Sequence, residues 1–323
     1  MHRAPMHVFR GTPTPQSRTP CCLGIGNFDG VHRGHQVVLE HLVASARRLK
    51  VDAAVMTFEP HPREYFAGVS GNHDLAPARI ASLRDKLDAL ERFGIDRVIV
   101  EHFNARLAAM APEAFVDDIL VAGCNVQSVC VGEDFRFGAK RRGDIALLER
   151  LGRERGFEVE TIAPVLDTDG QRISSSAVRA ALAAADFETA RRLLGRPYTI
   201  SGHVTHGRKL GRTLGYPTLN LRLEHGRPAT TGVFVVRVEG VDSRPIDGIA
   251  SLGVRPTVTT EREVMLEPHL LDWSGDAYGR VVRVEFLHKL REELKFDDLD
   301  TLIVAMRKDE ADTRAWLSQH ASP

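Results

Sequence analysis

The stretch GIGNFDGVHRGHQVVLEHL, Gly24–Leu42, places four glycines and two histidines in its first twelve residues, ahead of an amphipathic run. It follows CCL, so Cys21–Gly26 reads as a short buried strand. From Gly34 to Leu49 the apolar residues Val38, Leu42, Ala46 and Leu49 recur at helical spacing, which predicts a helix. A strand, a glycine-rich turn and a helix start leave backbone N–H groups free where a phosphate can sit. Gly24, Gly26 and Gly30 let the backbone approach such a group, and Gly34 permits a tight helix entry. His32 and His35 lie three apart, so both imidazoles can face one phosphate and stabilise charge building on it under attack. A structural turn with two solvated histidines is the alternative. It loses ground once strand, glycines and helix stand together.

Outward from this junction, AAVMTF (Ala53–Phe58), RVIV from Arg97 and SVCVG from Ser128 read as further strands. Between them lie a helical pattern over Ser82–Phe93, through Leu83, Leu87 and Leu90, and a helix opening near Pro112. Strands alternating with helices predict a parallel sheet covered on both faces, an α/β Rossmann-like arrangement. The pattern changes after Asp186. FETARRLLGRP is a short helix stopped by Gly195 and Pro197. YTISGHVTH, PTLNLRL, GVFVVRVEG, GIASLGV, VMLEPHLLDW and GRVVRVEFLHKL then follow as short strands separated by Gly, Pro and Asp. They predict a small antiparallel β-barrel or sandwich. Leu299, Ile303, Met306 and Trp316 place a final helix at about 297–317. The chain therefore reads as two domains, 1–186 and 187–323.

At 323 residues the chain is long for one domain, given roughly 150 residues for each. Lys plus Arg and Asp plus Glu both number 43, so no net field favours nucleic acid or an anionic membrane. Cys21, Cys22, Cys124 and Cys130 form no C-x-x-C pair and read as buried small hydrophobes in a reducing cytoplasm. The N-terminus lacks the apolar segment of a signal peptide, and translation from Met6 is an alternative to Met1. These features predict a cytoplasmic protein that requires no protein partner.

GNFDGVHRGH resembles the signature of nucleotidylyltransferases, in the form found in bacterial bifunctional riboflavin kinase/FMN adenylyltransferases, the FAD synthetases. TFEPHPREYF from Thr57, VGEDFRFGAKRRGD from Val131 and ISSSAVR from Ile173 are similar to that family's later motifs, in the same order. Ser176 stands where the last motif has Thr, and a hydroxyl is kept. The resemblance implies ATP contacts from Gly24, Asn27, Asp29, Gly34, Ser174, Ser175, Ser176 and Arg179, with His32 and His35 catalytic. Locally, Ser174–Ser176 read as N-cap residues before a helical run over Ala177–Ala184, with Arg179 near its first turn. Flavin contacts are implied for Pro60, His61, Pro62, Asp134 and Phe135. A proline-stiffened loop and two core aromatics, Phe135 and Phe137, are the plainer readings.

HGRKLGRTLGYPTLN, His206–Asn220, is similar to the riboflavin kinase motif Gly-Phe-Pro-Thr-Ala-Asn, with Tyr216 for Phe and Leu219 for Ala. It implies that Gly207, Lys209, Gly211, Thr218 and Asn220 hold ATP, and that Thr218 and Asn220 hold Mg²⁺. A plain β-turn is the other reading of that motif. SLGVRPTV from Ser251 and MLEPHLLDWSGDAYG from Met265 match the next kinase segments, with Ser251 for a common Asn and Pro268 for an aliphatic residue. They map the catalytic carboxylate onto Glu267, as base towards a ribityl hydroxyl; a strand-face ion-pair partner is its plainer reading. KLREELKF and the final helix resemble the element that closes on the flavin. The resemblance implies riboflavin, FMN and ATP as substrates, Mg²⁺ with ATP, and FMN and FAD as products. Two rivals stay open: an adenylyl- or cytidylyltransferase for another small phosphate, with the barrel as a lid, or a non-catalytic flavin sensor.

Overall fold

A computed structural model describes residues 5–206, 215–223, 227–256, 262–296 and 298–320. The chain forms two compact units: Met1–Pro77 with Lys86–Ser174, and Ala78–Asp85 with Ser175–Pro323.

The first unit is built on six strands: β1 (His7–Arg10), β2 (Cys21–Ile25), β3 (Asp52–Glu59), β4 (Arg97–His102), β5 (Val126–Gly132) and β6 (Glu158–Ile162). Every pairing is parallel, in the order β1-β4-β3-β2-β5-β6. β2 is buried along its whole length, which is why its sequence is a continuous apolar run rather than an alternation. The expected central strands are all present. The sequence reading passed over β1 and β6, the two edges, because their side chains are half-exposed and mixed in polarity.

Helix α1 (Arg33–Leu49) follows β2, and its buried residues are Leu39, Leu42, Val43, Ser45 and Ala46. The face is thus rotated by about one position from that expected: Val38 and Leu49 are its half-buried margins. Helix α2 (Pro62–Ser70) occupies what the sequence suggested was only a stiff loop. Pro62 takes the first helical position, where its missing N–H costs nothing. Helix α3 (Leu83–Arg92) lies where expected, but its deepest residues are Lys86, Ala89 and Leu90. Two short helices, α4 (Ala105–Ala109) and α5 (Pro112–Ala114), then lead into a π-helical stretch (Phe115–Val121) and α6 (Ala122–Cys124). The last helix of this unit is α7 (Ile145–Arg155). The core gathers Leu23, Met56, Ile99, Leu120, Val129 and Leu148 around the sheet.

All four cysteines are free and buried. Burial away from water disfavours the thiolate and pushes Cys21 up to about 12, Cys22 to about 11, Cys130 to about 12 and Cys124 higher still. A thiol reagent at neutral pH should therefore find no reactive cysteine in the folded protein and four per chain after denaturation. Rapid labelling of the native protein would show that this core opens.

The second unit carries α8 (Ser175–Ala183), α9 (Phe187–Leu194) and a closed barrel of antiparallel strands in the order β10-β11-β8-β7-β12-β9. The strands are β7 (Thr199–Thr205), β8 (Asn220–Leu223), β9 (Gly232–Glu239), β10 (Ile246–Pro256), β11 (Arg262–Leu270) and β12 (Val281–Arg291). A barrel, rather than a sandwich, is the realised alternative, and closure leaves no sheet edge unpaired. Leu252, Leu266, Val284 and Phe286 point inward. Phe187, at the start of α9, packs on Tyr198, Phe234 and Phe286 with ring centroids 6.3, 5.9 and 6.0 Å away. Among the described residues no helix is long and apolar enough to cross a membrane.

The C-terminal helix α10 (Leu299–Gln319) starts and ends about two residues later than expected, and position 297 lies outside the described residues. Its buried residues are polar, Asp309 and Thr313, while Leu299 is half-exposed. Arg291 of β12 grips the Asp309 carboxylate through two bonds of 2.8 and 2.7 Å, and Thr313 donates to the Asp309 carbonyl at 2.7 Å. Arg314 makes a second two-pronged contact with Asp272, at 2.8 Å for each bond. Ion pairs as well as apolar packing hold this helix, so its apolar periodicity alone misjudges the buried face.

Candidate active sites

In the first unit the residues singled out by sequence gather at the carboxyl ends of β2, β3 and β5. The chain leaves β2 towards β3 and β4, then returns to add β5 and β6 on the other side. That reversal makes a crevice outside the strand ends, the usual ligand position in open α/β sheets. Close packing shapes its floor. A Cβ on Gly24 would stand 3.0 Å from Leu42 of α1. One on Gly34 would stand 3.1 Å from the Ile173 carbonyl and 3.2 Å from the His32 ring. Ser174, next in the chain after Ile173, is thereby placed close to the first turn of α1.

Between β2 and α1 the backbone takes left-handed values at Phe28 (φ 47°), Gly30 (79°) and Val31 (41°). Such values are strained for Phe and more so for β-branched Val. Both side chains are buried, as is Asp29. His32 is the N-cap of α1: its Nδ1 accepts from the His35 N–H at 3.3 Å. An accepting Nδ1 puts the ring proton of neutral His32 on Nε2. The His32 and His35 rings stack at 3.7 Å and 19°. The Asn27 Oδ1 is buried with no hydrogen-bond partner among the described residues, and so suits a donor on a ligand.

His61, buried after β3, caps α2 in the same way. Its Nδ1 accepts from Arg63 N at 3.1 Å, and Glu64 returns a bond to the His61 N–H at 3.1 Å. Pro60 and Pro62 flank it. Phe58, Tyr65 and Phe66 surround Phe103 edge-on, with centroids 5.4–6.0 Å from it. This aromatic wall escaped the sequence reading because Phe103 follows β4, well over thirty residues beyond the rings it meets. After β5, Asp134 is exposed and pairs with Arg172 at 2.6 Å. Phe135 stacks half-buried on Phe137, which belongs to the core.

Ser175, Ser176 and Arg179 belong to the second unit. Helix α8 begins at Ser175, so the serines do not all precede it: Ser175 and Ser176 form its first turn, with Ser174 one residue before. Arg179 lies in the second turn and donates from Nε to the Ala78 carbonyl at 2.7 Å.

In the barrel, Gly207, Lys209 and Gly211 lie outside the described residues. Thr218 bridges His269 of β11, and Leu221 of β8 pairs with Leu266. The same antiparallel register sets Asn220 opposite Glu267. Since Leu221 and Leu266 point into the barrel, alternation turns Asn220 and Glu267 to its outer face together. Asn220 donates from Nδ2 to the Thr218 carbonyl at 3.3 Å, so its amide oxygen is the atom left for a ligand. His269 holds the Pro217 carbonyl at 2.9 Å, and Tyr216 bonds Glu310 of α10 at 3.1 Å. The hydroxyl of Tyr216 is the atom that the related motif's Phe lacks, and here it ties the motif to the C-terminal helix.

Two families match the chain: one described as FAD synthetase over residues 14–177, the other as riboflavin kinase over residues 194–317. A bifunctional riboflavin kinase/FMN adenylyltransferase of Pseudomonas fluorescens is 48% identical over 312 residues, covering 96% of this chain and 97% of the relative. One of Haemophilus influenzae is 44% identical over 298 residues, covering 92% and 94%. A solved structure described as a macrolide-efflux protein of Streptococcus pneumoniae superposes with a TM-score of 0.70 at 29% identity, covering 96% of this chain and 99% of that one.

Proposed function

The chain belongs to the bifunctional riboflavin kinase/FMN adenylyltransferase family, and from that premise we propose the reactions and the residues that carry them. It is an enzyme that phosphorylates riboflavin to FMN with ATP, then joins FMN to a second ATP as FAD and releases pyrophosphate. The match of both families in order along one chain carries this reading. We assign adenylyl transfer to residues 1–186 and phosphoryl transfer to 187–323.

In the first reaction site, an FMN phosphate oxygen attacks the α-phosphate of ATP in line as pyrophosphate leaves. His32, donating from Nε2, His35 and the N–H groups of the glycine-rich turn stabilise the charge that develops. Gly24, Asp29 and Gly34 shape the nucleotide cradle, and Asn27 Oδ1 accepts from a ligand hydroxyl or amine. Ser174, Ser175, Ser176 and Arg179 contact the triphosphate. Pro60, His61, Pro62, Asp134 and Phe135 bound the flavin.

In the barrel, Glu267 accepts the proton of the ribityl hydroxyl and orients that oxygen towards the γ-phosphate. Gly207, Lys209 and Gly211 hold ATP phosphates. Among the described residues no three His, Cys, Asp or Glu side chains form a metal cluster. Oxygen donors from Thr218 and Asn220 would hold a Mg²⁺ ion bound with the nucleotide, and the ion would supply positive charge against the phosphates. The buried free cysteines support a reducing, cytoplasmic setting.

Incubation of the pure protein with riboflavin, ATP and Mg²⁺, with flavins separated over time, should show FMN rising first and FAD after it. FAD from supplied FMN without any turnover of riboflavin would leave the barrel as a lid and defeat the kinase half. Thr218→Ala and Asn220→Ala should each raise the Mg²⁺ concentration that FMN formation requires and leave that of FAD formation alone. An unchanged Mg²⁺ titration would return both residues to a turn-forming role.

A further inference from the structure

Lys86 is only 1% exposed, matched among the charged groups of the described residues by Asp29 alone. It sits on the buried stripe of α3, three residues after Leu83 and four before Leu90. A methionine would fill that slot without desolvating a charge. Its surroundings show what the charge does there. Nζ lies 3.2 Å from Thr57 Oγ1 and 3.8 Å from Glu59 Oε1. Thr57, itself fully buried, donates from Oγ1 to the Asn27 carbonyl at 3.1 Å.

The direction of this relay follows from the groups in it. An ammonium can only donate, so the Thr57 hydroxyl must accept from it and turn its single proton to Asn27. The carbonyl so held opens the turn that carries Phe28, Gly30 and Val31 at positive φ. Backbone of that kind persists only where its surroundings over-determine it. Gly26 N–H to the Met56 carbonyl, at 3.1 Å, pins one end, and the His32 cap pins the other. The relay pins the carbonyl between them. Glu59, which balances the charge, directly precedes Pro60 at the mouth of the aromatic wall.

We infer that Lys86 is a positioning residue for adenylyl transfer. Acting through Thr57, it holds the 26–31 turn in the conformation that presents backbone N–H groups and His32 to the α-phosphate. With Glu59 it also links that turn to the segment assigned to the flavin. The inference rests on the adenylyltransferase reading above.

Thr57→Val, Lys86→Met and the double variant test it in the full-length protein, with kcat and KM for FMN and ATP measured in FAD formation. Near-UV circular dichroism checks folding. A misplaced turn weakens transition-state contacts more than ground-state binding. Each single variant should therefore lose about tenfold to 100-fold in kcat, with KM values within about threefold of the wild type. The double variant should be no worse than the poorer single one, because both changes break one relay. FMN formation from riboflavin should keep its rate in the same preparations. A folded Thr57→Val protein with normal kcat overturns the inference, as do losses that multiply in the double variant or fall only on KM. If Lys86→Met does not fold, Thr57→Val decides alone, since it keeps the Lys86–Glu59 pair and removes only the hydroxyl. Failure of the wild type to make FAD would instead strike the adenylyltransferase reading itself.

Discussion

His35→Ala should reduce FAD formation by ~10²–10³-fold while FMN formation from riboflavin stays near its original rate. The substitution removes the imidazole that stacks on His32 but keeps the backbone N–H that His32 Nδ1 accepts. Cap and helix therefore survive, and a selective loss would report on the imidazole ring alone. His32→Ala differs in kind: it removes the cap acceptor as well and should lower thermal stability by about 1 kcal/mol in addition to stopping FAD formation. Rates of both reactions and melting temperatures for the two variants separate these effects. If His35→Ala slows both reactions equally, the two histidines do not belong to a site of their own. If FAD still forms at the original rate, they are only helix-capping furniture.

Glu267→Gln should cut the kcat of FMN formation by ~10²–10⁴-fold, with little change in riboflavin binding and none in FAD formation from supplied FMN. Gln keeps the size of Glu on β11 and can still hydrogen-bond, but it cannot take a proton from an attacking hydroxyl. The substitution leaves the backbone of β11 unchanged: that strand pairs with β10 through its main chain, with Ser251 opposite Glu267. Turnover, riboflavin affinity and circular dichroism of the variant would decide it. Normal turnover would leave Glu267 as a strand-face partner of the barrel.

The strand–turn–helix at Gly24–Leu42 was legible because its signals are local. A fully apolar run, glycines at a tight turn and a 3.6-residue period each reveal themselves within a few positions. The same holds for the switch near Asp186 from alternating strands and helices to short punctuated strands, and hence for the parallel sheet and the barrel. The place of His32 was likewise readable, since it caps the helix at whose start it was expected.

Local signals thus specify the class of each half, the order of its elements and the loops to which the chemistry is assigned. Tertiary structure decided the rest, wherever a residue's role depends on a partner far along the chain. The pairing of Asn220 with Glu267 exists only in the register between β8 and β11. Edge strands β1 and β6 carry too little apolar pattern to declare themselves and are defined by β4 and β5 beside them. Asp309 is buried on α10 because Arg291 of β12 meets it there. Lys86 falls on the apolar stripe of α3, so local periodicity marks a misplaced charge and nothing more. Its contacts with Thr57 and Glu59 come from β3, nearly thirty residues earlier, and only the folded chain supplies the hydroxyl and carboxylate that make a buried ammonium tolerable.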